Sequence, residues 1–279
     1  MQTPTLDSLH FAVADLESVQ RFYRELLGFV PERSGATRQA EAWVRMRSGS
    51  SSLTFCQAGR PAALPADPRA GFRGMSWAVE SLTPYRQALE RHGNLCARKH
   101  EDAETRRLSF QDPDGNGLAL VEYRDAETWR ERSDRGWALF RQIDHVRFGV
   151  ADLRASLAFY RDLLGFTLRR VVVPHGAGTR HIAADPEGPL PADACGIILA
   201  GADAVLSLHR SASGVAVRAP RFEHMGWKVE HLEACRERLA DYAVDCEADR
   251  AGRQLMLRDP NGRAAAAPNL ELTGVQAPV

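Results

Sequence analysis

The chain has 279 residues, 44% hydrophobic and 26% charged, which is long enough for two ordinary globular domains whose cores need no covalent staple. Thirty-six basic residues balance thirty-six acidic ones, so no net field attracts nucleic acid or an anionic membrane, and neither partner is expected. Five cysteines without CxxC spacing argue against a disulfide framework or structural zinc, and no apolar run or leader pattern indicates insertion or export, so a cytoplasmic protein with reduced thiols is expected.

In chain order, residues 6–13 alternate like a short strand, and Asp15 then stands as N-cap for a helix with Leu16, Val19, Phe22, Tyr23, Leu26 and Leu27 on one face. Gly28 supplies a left-handed C-cap. Short strands follow at 43–47 and 52–56. A second set spans 72–123, with a helix near 83–91 and the tight-turn composition Asp112-Pro113-Asp114-Gly115. The stretch 125–142 is rich in Arg, Asp and Glu yet holds Trp129, Trp137, Leu139 and Phe140, and reads as a connector that docks.

The pattern then begins again. Asp7-Ser8-Leu9-His10-Phe11 returns 137 positions later as Asp144-His145-Val146-Arg147-Phe148, and Phe22-Tyr23 to Gly28-Phe29 returns as Phe159-Tyr160 to Gly165-Phe166. Gly74-Met75-Ser76-Trp77 likewise matches His224-Met225-Gly226-Trp227, and Asp259-Pro260-Asn261-Gly262 repeats the turn. Short strands are expected at 197–199 and 204–209, a helix near 231–242, and an irregular, Gly- and Pro-rich hairpin excursion at 174–195. The fold class is therefore α+β, with four β-α-β-β-β units paired into two tandem modules, each a cupped mixed sheet with flanking helices. The boundaries are 1–124 for the first module, 125–142 for the connector and 143–279 for the second module.

These motifs, in this order and twice over, resemble the vicinal oxygen chelate superfamily, and two modules of two units resemble its type I extradiol ring-cleaving dioxygenases. The resemblance implies a degenerate, metal-free first module and a second module that binds Fe(II), with Mn(II) as the alternative. Carried across, it implies His145 and His224 as metal ligands and His209 as the acid or base. Ser8 and Gly74 stand at the ligand positions of the first module. Two imidazoles and one carboxylate on one face leave room for a bidentate catecholate and dioxygen, and a histidine near its ordinary pKa can move the hydroxyl proton at neutral pH.

Two positions depart from that pattern. The third ligand implied is a Glu seven residues beyond the turn Asp, where this chain has Ala266; the nearest carboxylate, Glu271, comes five residues later. An odd displacement turns a strand residue to the opposite face unless Pro268 or a bulge resets the pleat. Glu271 is the expected third ligand, with His209 as the alternative. Met256 stands where the family usually has a catalytic tyrosine. Arg147, two residues after His145, shares its face and suits a substrate carboxylate, and His181 in the excursion suits the cavity mouth. Trp77 and Trp227, present in both repeats, read as core.

The expected function is thus a metal-dependent oxygenase, an extradiol-type ring cleavage of a small catechol-like aromatic using dioxygen. The alternatives are a glyoxalase-like isomerase or lyase and a metal-free protein that sequesters a small molecule. Exposed edge strands would allow two copies to pair as a homodimer.

Overall fold

A computed structural model describes residues 4–13, 15–26, 28–36, 41–57, 72–91, 98–111, 117–125, 140–210, 221–229, 232–241, 246–248, 254–258 and 269–274. Most of the connector, both Asp-Pro-x-Gly turns, Ala266 and Pro268 lie outside these residues.

The first unit runs β1 (Thr5–Val13), α1 (Leu16–Arg21), β2 (Val30–Ala36), β3 (Ala42–Ser48) and β4 (Ser51–Gln57). Asp15 caps α1 as expected, its carboxylate accepting from the Ser18 backbone and hydroxyl at 3.0 and 2.6 Å. Those bonds hold the Asp15 carboxyl below the usual carboxylate range. The helix then widens into a π turn at Phe22–Leu26 instead of continuing as α. The wider turn lets two consecutive rings, Phe22 and Tyr23, both turn inward, and they meet edge to face at 5.4 Å. Gly28 closes it with φ 73°.

The second unit is β5 (Phe72–Ala78), α2 (Thr83–Arg91), β6 (Arg98–Glu101), β7 (Thr105–Gln111) and β8 (Gly117–Tyr123). The third begins with β9 (Phe140–Val150) and α3 (Leu153–Leu157), capped by Asp152 and again widened into a π turn, Ala158–Leu163. It then differs from the expectation. The expected hairpin is present but regular, β10 (Thr167–His175) with β11 (Gly178–Ala183), and it gives this unit one strand more than the β-α-β-β-β plan before β12 (Gly196–Ala200) and β13 (Val205–Arg210). Gly176 at φ 58° makes the tight turn that composition alone left ambiguous. The fourth unit has β14 (Arg221–Val229), α4 (Leu232–Asp241), β15 (Cys246–Ala248), β16 (Gln254–Arg258) and β17 (Asn269–Gly274).

In every unit the first and last strands pair in parallel: β1 with β4, β5 with β8, β9 with β13 and β14 with β17. The strands form an eight-stranded sheet, β2-β3-β4-β1-β5-β8-β7-β6, and a nine-stranded sheet, β11-β10-β12-β13-β9-β14-β17-β16-β15. The chain packs as two compact units, each drawing on both repeats. One comprises Met1–Asp7, Gly74–Thr128 and His145–Phe222; the other comprises Ser8–Arg73, Trp129–Asp144 and Glu223–Val279.

The first compact unit is centred on Trp77, 1% exposed, which meets Phe166 edge to face at 4.8 Å. Its indole also lies over Gly201. There the β12–β13 turn holds the start of β1: Ala202 donates to the Pro4 carbonyl at 2.9 Å, and Leu6 donates to Asp203 Oδ1 at 2.8 Å. Tyr123 donates to the buried Asp7 carboxylate at 2.5 Å. The second is built on Phe11, Tyr23 and Phe55, with Tyr23 and Phe55 centroids 4.8 Å apart. Cys235 is buried and Cys56 and Cys195 half-buried, all free thiols. Among the described residues no helix is long and apolar enough to cross a membrane.

Tyr85 of α2 is 2% exposed, and burial, with the Glu80 charge adding to it, pushes its phenol up to about 12. The folded pKa is raised, so this group's contribution to stability is complete below the unfolded value near 10 and is lost as pH rises from there through about 12. A spectrophotometric phenol titration should show a late-ionising tyrosine that Tyr85→Phe removes, together with some of the alkaline loss of stability.

Candidate functional site

Cross-strand partners share a face and residues two apart along a strand return to it, so the ladder register assigns each side. On β9 and β13, Val146, Phe148, Leu206 and Leu208 are buried as core. The other face carries His145 opposite Val205, Arg147 opposite Ser207, and Gly149 opposite His209. His145, Arg147 and His209 are each half-buried. One rung extends outward as His209, Gly196, Val172 and His181, so His181 shares the face but sits exposed on the edge strand.

His209 is held from two directions. Its Nε2 lies 2.9 Å from the hydroxyl of Ser207, which is 7% exposed. Its ring lies over Gly196, where a Cβ would come within 2.8 Å of Nδ1 and 3.0 Å of Cε1. Sequence reading missed both residues. The hydroxyl two positions before His209 was visible as a same-face neighbour, but only the pairing of β12 with β13 reveals Gly196. Behind Gly196, Cys195 donates from its backbone to the Val172 carbonyl at 2.9 Å and receives Arg210 at 2.8 Å. Arg161 steadies the preceding loop through the Pro186 and Gly188 carbonyls, each at 3.3 Å.

His145 and His209 stand four rungs apart on this face, roughly 13 Å along the strands at about 3.3 Å per residue.

His224, Met256 and Glu271 belong to the other compact unit, where the backbone pairing of their strands is described and their side chains are not. His224 is opposite Asn269, and Glu271 is opposite both Gly226 and Met256. Glu271 therefore has the ladder parity of Asn269 and so of His224. The first module gives the reference point: Ser76, which matches Gly226, is opposite Ala119. Glu271 thus occupies the register position of Ala119, and the five-residue displacement falls before β17 begins.

The same positions in the first module are closed. Ser8, matching His145, shares a hydrogen bond of 3.1 Å with Thr54, and both are buried. Gly74, matching His224, has φ 147°, and a Cβ there would overlap the Gly117 carbonyl oxygen. Cys56 stands for His209 and Trp43 for Gly196, the Trp43 indole lying 3.1 Å from where Gly35 would carry a Cβ. Arg47 pairs with Glu32 at 2.5 Å, and Arg45 Nε makes a 3.0 Å ion contact with Glu32 without hydrogen-bond alignment. No group of three or more His, Cys, Asp or Glu side chains comes together among the described residues, a set without the side chains of His224 and Glu271.

Paired half-sheets in tandem, with His145 and His224 standing where the first copy has Ser8 and Gly74, define a protein of two glyoxalase-type modules. Residues 142–263 match the Glyoxalase/Bleomycin resistance protein/Dioxygenase superfamily, and residues 8–121 match a glyoxalase-like domain. The chain belongs to the vicinal oxygen chelate superfamily. No curated protein matches it. Among solved structures it resembles the 2,3-dioxygenase LapB from Pseudomonas sp. KL28, at 16% identity and TM-score 0.65 over 99% of this chain and 94% of that one. It also resembles a 4-hydroxymandelate synthase variant from Streptomyces coelicolor, at 14% identity and TM-score 0.68 over 99% and 95%. A third is the Mn(II)-bound glyoxalase from Novosphingobium aromaticivorans, at 14% and 0.66 over 98% and 82%. At these identities the likeness establishes the fold.

Two substitutions probe these contrasts. Gly74→Ala should cost more than about 1 kcal/mol in chemical denaturation, because it adds a Cβ at positive φ against backbone. Gly196→Ala should leave a folded protein whose His209 ring has turned off Ser207, read as loss of the 2.9 Å contact in a crystal structure of the variant.

Proposed function

We propose that the second module is a metal-dependent oxygenase that cleaves a small catechol-like aromatic with dioxygen. His145, His224 and Glu271 hold Fe(II), or Mn(II) in its place, and His209 serves as acid or base. The observation that carries this reading is the register of β17. Glu271 stands opposite Gly226 as Ala119 stands opposite Ser76, so the carboxylate missing at Ala266 reappears at the ladder position the resemblance assigns to it.

The donor set fits such an ion: two imidazoles and one carboxylate are borderline and hard ligands that suit Fe(II) and Mn(II). When bound, the ion would supply Lewis acidity and open coordination positions for the substrate oxygens and dioxygen. The chain's own residues do the rest. His209 takes the proton of a substrate hydroxyl at an imidazole nitrogen and returns it later. Arg147, on the same face two residues from His145, pairs with a substrate carboxylate, and His181 lies at the outer edge. Met256, in the register position opposite Glu271, stands where the family usually has a tyrosine and has no proton to give.

That methionine supports a second reading, a glyoxalase-like isomerase or lyase on the same ligands, which needs no tyrosine and consumes no oxygen. Oxygen uptake with a catechol separates the two. Protein prepared without oxygen or chelator and reconstituted with Fe(II) should hold about one iron or manganese per chain by elemental analysis, the stoichiometry of a single three-ligand site. His224→Ala should abolish binding and Glu271→Gln weaken it at least tenfold, in line with loss of a direct ligand. Wild-type protein without transition metal, or unchanged metal affinity in both variants, would overturn the assignment.

A further inference from the structure

The concave face of β9 and β13 holds one hydroxyl whose placement the proposed chemistry does not yet use. Ser207 lies two residues before His209, on the same face, and its Oγ is 2.9 Å from His209 Nε2. It is 7% exposed, so bulk water does not compete freely for it. On the far side the imidazole rests against Gly196, where even a methyl group would strike Nδ1. The ring is therefore seated by a hydroxyl at one nitrogen and by an absent side chain beneath the other. The first repeat has the matching hydroxyl, Thr54, but spends it on Ser8 at 3.1 Å, and its counterpart of His209 is Cys56. The hydroxyl thus changes partner between the copies just where an imidazole appears.

We propose that Ser207 is a positioning residue for His209: its hydroxyl donates to Nε2 and holds the neutral ring in the tautomer with its proton on Nδ1. A neutral histidine side chain in water prefers the opposite tautomer, with its proton on Nε2, so the serine reverses the ordinary choice. A nitrogen that accepts from Ser207 carries a lone pair, and because the hydroxyl fills that direction the substrate proton reaches Nε2 through it, Oγ taking the substrate proton as it passes its own to Nε2; a ring bearing Nε2–H has nothing to accept with at that atom. Once the ring is protonated, the same hydroxyl turns and accepts from Nε2–H, because a hydroxyl serves as either donor or acceptor. The histidine then keeps its place through proton uptake and release. The catalytic value of this arrangement rests on the function proposed above; the tautomer does not.

The test is imidazole ¹⁵N NMR on the full chain, uniformly labelled and freed of transition metal, at a pH where the ring is neutral. His209 signals are assigned by their absence in His209→Asn. The wild type should show Nε2 at the downfield shift of an unprotonated nitrogen. Ser207→Ala should lose that shift as the population moves towards Nε2–H, and Ser207→Thr should restore it. A wild-type Nε2 that carries the proton overturns the proposal without any serine variant having to fold, and so does a Ser207→Ala spectrum unchanged from wild type. If the tautomer is as proposed and the chain binds no iron or manganese, the assignment of His209 to oxygenase chemistry fails while the positioning by Ser207 stands.

Discussion

Parallel pairing between the first and last strand of each unit is the constraint on which the rest of this structure depends. Ser8 opposite Ser52, Met75 opposite Leu118, His145 opposite Val205 and Met225 opposite Leu270 fix which side of every strand is concave. A slip of one residue would exchange the two sides, putting Phe148 and Leu208 on the concave face and Arg147 and His209 in the core. The apolar residues that fill the core therefore also hold the polar ones to the opposite side. Two of the helices reinforce this: α1 and α3 follow their first strands directly, and the π turns after them bury paired rings. The π turns at Phe22–Leu26 and Ala158–Leu163 let consecutive residues serve that packing.

On this shared frame the two copies solve opposite problems. The first copy pairs several of its concave polar groups with one another, through the Ser8–Thr54 hydroxyl pair and the ion cluster of Glu32 with Arg45 and Arg47. It fills the remaining room with Trp43, and it leaves no space for a side chain at Gly74. Such self-satisfaction is what burial of polar groups demands. In the second copy, small residues give way to imidazoles at His145 and His224, while a large one gives way to Gly196 beneath His209. The exchange is reciprocal: where one copy has a large side chain over a small one, the other reverses the pair, as in Trp43 against Gly35 and His209 against Gly196.

The sequence made the repeats, the caps at Asp15 and Asp152, and the left-handed closures at Gly28 and Gly165 legible, because each depends on residues close in the chain. The strand and helix positions followed for the same reason, and α2 coincides with its expected span. Three features were hidden. The regularity of the β10–β11 hairpin, and the strand it adds, were masked by its Gly- and Pro-rich composition until the Arg170 to Ala183 pairing is known. The Gly196 seat depends on an antiparallel partner thirteen residues away, which no local pattern encodes. The place of Glu271 could not be counted from Asp259, because register is set where pairing begins at Asn269 and not by the length of chain before it.

The division of the chain into compact units has a bearing on how such a protein can change over time. Each unit takes one half of each repeat, and the opening residues of the first copy are held by the turn at Ala202 and Asp203 in the second. A duplicated gene whose copies remain side by side can shed the one that lacks an active role. Copies that have traded halves cannot, because deleting either would take away part of the other's core. The first copy, with Ser8 and Gly74 where the second has His145 and His224, is in this sense the structural dowry of the duplication: free to change its concave face, and obliged to keep its packing.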